Sequence, residues 1–471
     1  MVRLAPFFGR AGLASLALVA VARADLLCSG DPDSDNFPDK VSVGNGANFT
    51  VTYSNNYKIV TNQLADETYG LYCGDKKPSA PDHVKNWYKL PINSTAVLDY
   101  TLFPYLEVLG LTPAVRIADD RLNVTTPCTQ SLFNDGSIVA YQNATADDWA
   151  PVQVAFDNSF SNDTNYVAFS ASDDRLGPLE RAEWIKYVAV FFNMEANATE
   201  FYQHVTNQYS CHRNNLAKVD RQQIAYSQYS HAADTGAPLW TVNTSPYYDE
   251  LTTDAGAHIV SPPITAVNST AAFRTNVQTA DYMIDLTPTN GDRLDFSAWK
   301  SLFGYSTKPD KDSAFYFNKQ VWRPDLRRNA AGNLDWVQSS AVRPDLALAD
   351  LITVQYPKYQ DDLVWFENTS GDADFTTSGP GSCGAKSILT DFTKCPASPD
   401  LTPRKGKGDD DSDGLGAGAI VGIVIGVVAA LLLAAYVYVQ LARRRRRQRL
   451  QEFINLRNRH SGEMDDQREA M

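Results

Sequence analysis

The sequence predicts an α/β fold in two halves around a long helical segment, followed by one C-terminal transmembrane helix. Three observations carry this expectation. Residues 95–118 alternate strand, helix and strand in a span short enough for a parallel βαβ unit. Residues 180–219 place apolar side chains at three- and four-residue steps. Leu415 to Ala442 is an uncharged stretch long enough to cross a bilayer.

Taken in order, residues 1–24 read as a secretory signal peptide, with Arg3 and Arg10 at the basic start, an apolar run from Ala11 to Ala22, and Ala22-Arg23-Ala24 as the cleavage site. An amino-terminal α/β lobe is expected over 25–177. Within it Tyr57-Lys-Ile-Val-Thr is β-like and Thr95 to Asp99 is a strand. A helix follows across Leu102 to Leu109, with Pro104 harmless in its first turn and Gly110 ending it, before Val115-Arg-Ile-Ala resumes a strand. Residues 178–219 supply the mid-chain and bridging helices. In the carboxy-terminal α/β lobe, 220–367, strands are expected at Gln223-Ile-Ala-Tyr, His258-Ile-Val, Tyr282-Met-Ile-Asp-Leu and Phe315-Tyr-Phe. Residues 368–414, rich in Gly, Ser, Thr, Pro and Asp, read as a flexible stalk. The transmembrane helix occupies 415–442, and Arg443 to Arg447 open a basic tail, 443–471, that the positive-inside rule places in the cytosol.

Charge and modification signals agree on a type I cell-membrane protein with an extracellular ectodomain. With +3 in the first 24 residues and +4 from Arg443 onward, a total of −13 leaves −20 between them, which argues against nucleic-acid binding. Sequons stand at Asn48, Asn93, Asn123, Asn143, Asn162, Asn197, Asn243, Asn268 and Asn368, all between signal and span. Six cysteines lie in the same stretch without zinc-ligand spacing. Proximity in sequence suggests Cys28–Cys73, Cys128–Cys211 and Cys383–Cys395, although spacing alone leaves other pairings open.

Three stretches resemble a known family: Val97 to Ala118, with its Leu-Gly helix end before a strand; Pro178-Leu-Glu-Arg-Ala-Glu-Trp-Ile-Lys-Tyr-Val-Ala; and Gly332-Asn-Leu-Asp-Trp through Ser340-Ala-Val-Arg-Pro-Asp-Leu-Ala-Leu-Ala-Asp-Leu-Ile. Together they resemble periplasmic substrate-binding proteins of ABC transporters, of the ferric siderophore and cobalamin class, over roughly residues 57–360. The resemblance implies two Rossmann-like lobes joined by a long bridging helix, with little hinge motion, and a metal chelate as ligand. Leu26-Leu27 before Cys28 departs from a lipid-modified cysteine, and the predicted transmembrane helix replaces that anchor. Partners are then the chelate, the membrane, and a transporter or endocytic machinery. No cofactor is needed as a catalyst; a ferric siderophore or cobalamin is the expected ligand.

A bulky chelate needs aromatic walls and a few polar or cationic groups, supplied by loops at strand ends. In the first lobe the candidates are Asn62, Gln63, Asp99, Tyr100 and Thr101, although Asp99 and Thr101 equally suit a helix cap. Arg181 is placed to grip a ligand oxygen or, alternatively, to form a structural salt bridge with Glu180 or a neighbour. In the second lobe the candidates are Trp240, Tyr247, Tyr248, Arg274, Trp322, Arg323 and Trp336, with ordinary core burial the competing reading for each aromatic. An enzyme is not expected: G-x-S-x-G, H-E-x-x-H, Walker and G-x-G-x-x-G sequences are all missing. The alternative to a solute-binding protein is an adhesion or signalling glycoprotein that reuses the fold.

Overall fold

Polar and apolar residues alternate from Phe49 to Tyr53, and this pattern opens a small sheet in the computed structural model. Strands Phe49–Tyr53, Tyr57–Asn62 and Glu67–Tyr72 pair antiparallel, and Asn86–Lys89 adds in parallel. The described residues are 28, 31, 33–79, 81, 83–158, 165–289, 291–305, 313–372, 374–384, 387–392 and 394–404. The expected signal peptide, transmembrane helix, basic tail and the Asn162 sequon lie outside them. No helix among the described residues is long and apolar enough to cross a membrane.

The strand–helix–strand unit nucleates a five-stranded parallel sheet. Its order is Val139–Ala140, Val115–Ala118, Thr95–Val97, Val154–Asp157, Tyr166–Ala168. Thr95–Val97 is buried along its whole length, as a central strand covered on both faces requires. The expected helix is a tight turn, Tyr100–Leu102, running into helix Phe103–Val108, and Gly110 ends it at φ +70°.

The bridging segment is two helices, Pro178–Phe191 and Glu195–Asn215, separated where Asn193 takes φ +54°. Buried cations pin the first sheet and the chain leading into it to these helices. Lys58 Nζ donates to Val190 O (2.7 Å), Asn193 Oδ1 (2.6 Å) and Glu195 Oε1 (2.6 Å). Lys186 Nζ donates to Glu183 Oε1 and to Ser42 O, both at 2.7 Å. Each buried charge thus has a counter-charge and further acceptors, the condition for burying it at all.

The second lobe is built on a mixed seven-stranded sheet. Gln222–His231 pairs antiparallel with Pro238–Val242 and parallel with Ala257–Ile259 and Tyr282–Asp285. Val321–Arg323 continues in parallel and Glu367–Asn368 closes antiparallel. The strand expected at Phe315-Tyr-Phe is instead the helix Ala314–Phe317, and the strand begins at Val321. A short apolar run carries no periodicity that separates the two. Helix Pro344–Gln355 is buried over its whole length and packs on Glu195–Asn215.

Two further expectations are corrected. Residues 368–404 do not form a free stalk: Thr376–Ser378 pairs with Arg327–Asn329, Ser378 Oγ donates to Thr125 O of the first lobe (2.8 Å), and Arg404 Nε donates to Val354 O (3.0 Å) at the end of the buried helix. Cys28–Cys73 forms as expected, but the other pairs are Cys128–Cys383 and Cys211–Cys395, not Cys128–Cys211 and Cys383–Cys395. The returning segment 376–404 brings sequence-distant cysteines together, which proximity along the chain cannot reveal. It lies across both lobes as a strap, bonded covalently at two points.

Candidate functional site

The carboxyl ends of the parallel strands in the first lobe carry three aspartates. Asp99 follows Thr95–Val97, Asp119 follows Val115–Ala118, and Asp157 ends Val154–Asp157. Asp99 Oδ1 accepts from Thr101 N (2.8 Å) and Thr101 Oγ1 (2.7 Å), so the capping role is real. Its other oxygen, Oδ2, is buried and accepts no hydrogen bond from a described residue. Burial pushes the Asp99 carboxyl up against the pull of the Thr101 bonds, and the charges of Asp157 and Asp119 push it further. Half-buried Tyr100 is raised too, by burial and by Asp99 and Asp119. This edge is an acidic face that can accept hydrogen bonds from a ligand. Among the described residues no group of three His, Cys, Asp or Glu is placed to hold a metal ion.

The second lobe repeats the motif. Asp285 ends Tyr282–Asp285, and its Oδ1 accepts from Thr287 Oγ1 (2.7 Å) and Ser227 Oγ (3.3 Å). Here a cation is supplied: Arg323 bonds Asp285 through Nη1, Asp325 Oδ2 through Nε (2.6 Å) and Thr287 O through Nη2 (2.8 Å). Arg323 is fully buried and engaged within the lobe, so it is not the ligand-gripping cation the sequence suggested.

Between the lobes the structure brings together Arg181, Tyr247, Tyr248 and Trp336. The Arg181 guanidinium lies 4.3 Å over the Tyr247 ring, the Tyr247 and Tyr248 rings are 5.2 Å apart, and Trp336 beside Tyr248 offsets part of the rise that burial gives its hydroxyl. Arg181 pairs with Asp174 (3.8 Å) and Asp173 O (3.2 Å) rather than with Glu180, whose carboxylate accepts from Gly177 N (2.8 Å). Trp336 also meets Trp365 at 5.5 Å and Phe366 at 5.1 Å. These side chains are packed against one another.

Beside them lies a polar lock centred on Asp335. Asp335 Oδ1 accepts from Thr125 Oγ1 (2.8 Å) across the junction, while Oδ2 accepts from Trp365 Nε1 (3.0 Å). Asn329 Nδ2 donates to Leu122 O (2.7 Å) and Val124 O (2.9 Å), and Gln338 Nε2 donates to Asn123 O (2.5 Å). The turn Tyr100–Leu102 packs on helix Asp335–Ser339. Each buried amide here is bonded, and opening the junction would exchange these bonds for bonds to water at a net cost of about 0.5–1.5 kcal/mol each.

The remaining candidates sit elsewhere. Asn62 is buried, with Nδ2 donating to Ala168 O and Ser170 Oγ, both at 3.0 Å, and Oδ1 accepting from Leu64 N (3.0 Å). Gln63 is exposed on the first sheet. Trp240 is core, donating to Leu302 O (3.1 Å). Arg274 donates to Gly304 O (3.1 Å) on the outer side of the second lobe. Trp322 is buried under Arg404, whose guanidinium lies 4.8 Å over its ring. Asp119, Asp157 and Asp285 were legible as aspartates ending apolar strands, and Asp285-Leu-Thr287 repeats Asp99-Tyr-Thr101.

No protein-family model matches this sequence, and no curated protein matches it. Solved structures to which it is similar include a periplasmic binding protein from Veillonella parvula, with TM-score 0.44 and 14% identity over 65% of this chain and 97% of that one. The periplasmic heme binding protein HutB of Vibrio cholerae gives TM-score 0.39 and 12% identity over 55% and 99%. CeuE of Helicobacter pylori with Ni(II) bound gives 0.39 and 12% over 57% and 85%. All three TM-scores lie below 0.5.

Proposed function

We propose that this chain is a membrane-anchored solute-binding glycoprotein of the cell surface, which captures a metal chelate of the ferric siderophore or cobalamin type on the face where the two lobes meet. It would do so without a catalytic step and pass the chelate to a transporter or to endocytic uptake. The observation that carries this reading is the strand-end acidic face of Asp99, Tyr100, Asp119 and Asp157, in which a buried carboxylate oxygen of Asp99 is left without a described donor. A ligand N–H or O–H is one donor that would satisfy such an oxygen. The same charge disfavours a polyanionic ferric catecholate and favours amide-rich cobalamin or a neutral or cationic ferric hydroxamate. The junction lock suits a binding protein whose lobes move little.

The test is a thermal-shift screen of residues 25–406, expressed in a secretory host, against ferric hydroxamates, ferric catecholates, cobalamin and haem. A ligand that binds only the native state raises the melting temperature. A shift with hydroxamate or cobalamin supports the reading. No shift with any, from a protein that melts cooperatively, favours the second reading, an adhesion or signalling glycoprotein. One observation already leans that way: Arg181, Tyr247, Tyr248 and Trp336 are occupied with one another.

A further inference from the structure

A pocket of about 680 Å3 opens at the edge of the second sheet, away from the acidic face described above. Leu326 and Leu363 give it apolar lining, Arg404 lies on its wall over the Trp322 ring, Asp361 and Asp362 stand exposed on it, and Asn368 forms part of its wall. Its size is that of a small-molecule site, and its mixture of apolar surface and carboxylates is the mixture that sugars use, with ring faces on carbon and hydroxyls on charged acceptors.

Asn368 is also the acceptor of the sequon Asn368-Thr369-Ser370. Its Oδ1 accepts from Ser370 N (2.8 Å), and Nδ2 donates one hydrogen to Lys319 O (2.9 Å). An asparagine modified on Nδ2 keeps one N–H, so the bond to Lys319 survives and the second hydrogen is the one replaced. We propose that Asn368 is glycosylated and that the first sugars of its glycan occupy this pocket. In the transfer, Nδ2 attacks C1 of a lipid-pyrophosphate-linked oligosaccharide. The Nδ2–C1 bond forms, the C1–O bond to the pyrophosphate breaks, and the Nδ2 proton leaves with the lipid pyrophosphate. The reaction acts on the unfolded chain, before Thr369 is buried. The pocket is then a seat built for a group the chain itself carries, and tethering makes its effective concentration high. The proposal rests on the secretory address of the proposed function and not on its solute.

The experiment uses the full chain made in a eukaryotic secretory host, with peptide N-glycosidase applied to the native protein in heavy-oxygen water and each site followed by peptide mass spectrometry. Asn368 is expected to be occupied and to release its glycan about tenfold more slowly than exposed Asn197 and Asn268, equivalent to about 1.4 kcal/mol of protection. Ser370→Ala should remove the mass of one glycan, since Ser370 is exposed and the change leaves Asn368 in place. Asp361→Asn with Asp362→Asn should bring the Asn368 rate up towards that of Asn197, which separates the pocket from a general slowness of the strand. An unmodified Asn368 beside glycosylated Asn197 and Asn268 overturns the proposal and leaves the secretory address standing. Absence of glycan from every sequon overturns both. Release at the common rate, or a rate unmoved by the aspartate changes, overturns the pocket as the seat.

Discussion

The two lobes end a parallel strand in the same way and then part. Asp99-Tyr-Thr101 and Asp285-Leu-Thr287 each fold so that threonine Oγ1 donates to the aspartate at 2.7 Å. Burial raises both carboxyls. In the second lobe Arg323 and Ser227 complete the site, and Arg323 pulls Asp285 back down. Among the described residues of the first lobe no cation is bonded to Asp99, two more aspartates lie near, and Asp99 Oδ2 is left over. One turn is complete in its hydrogen bonds; the other keeps a buried acceptor without a described donor. Equivalent backbone positions therefore need not be completed alike, and the difference lies in Arg323 and Ser227.

The largest effect should come from breaking the finished turn. Arg323→Met leaves Asp285 and Asp325 buried without their cation and should cost about 3–5 kcal/mol in urea unfolding. Asp99→Asn should change stability by less than about 1 kcal/mol, because Oδ1 keeps its bonds to Thr101. Equal losses in the two variants would break the comparison.

Next is the strap that holds the lobes in register. Cys128→Ser with Cys383→Ser opens a bridge spanning 255 residues and should lower stability by about 2–5 kcal/mol. Cys28→Ser with Cys73→Ser, which spans 45, should lower it less, and the reverse order in thermal melts would show that the strap does not govern the lobes.

A smaller effect is expected with pH. Burial holds Glu107 and Asp350 at about 7, against backbone hydrogen bonds that pull them down. A carboxyl raised on folding favours the native state when protonated. That stability is fully present below the unfolded value, near 4, and is lost as pH rises through about 7. These groups should therefore make the protein melt higher at pH 5 than at pH 8, by on the order of 1–3 kcal/mol for each of the two, and Glu107→Gln should flatten part of that slope. A melting temperature that rises from pH 5 to pH 8 would place these groups outside the class to which Asp99 belongs.

How much of this was legible depended on distance along the chain. The strand–helix–strand unit at 95–118 could be read because its apolar spacing, Pro104 and Gly110 are local signals. Phe315-Tyr-Phe could not, since three adjacent aromatics fit a buried helix as well as a strand. The disulfide pairs and the docking of 376–404 were hidden because they depend on a chain that returns across both lobes. For the site, Asp99, Tyr100 and Thr101 were visible as polar residues closing an apolar strand. The matching turn at Asp285 carries the same signal, and the charge of Arg323 suggests a ligand group where the structure shows a buried ion pair. Trp240 and Arg274 show the same limit: composition marks a residue as capable of binding, while only packing decides which face it occupies.

The most direct test of the open turn is the ligand-induced melting shift of Asp99→Asn beside the unaltered protein, using ferric hydroxamate and cobalamin as probes. The account predicts a shift in the unaltered protein that is lost in the variant, with the ligand-free melting temperature within a few degrees of the original. An undiminished shift in Asp99→Asn would place the ligand elsewhere and contradict it.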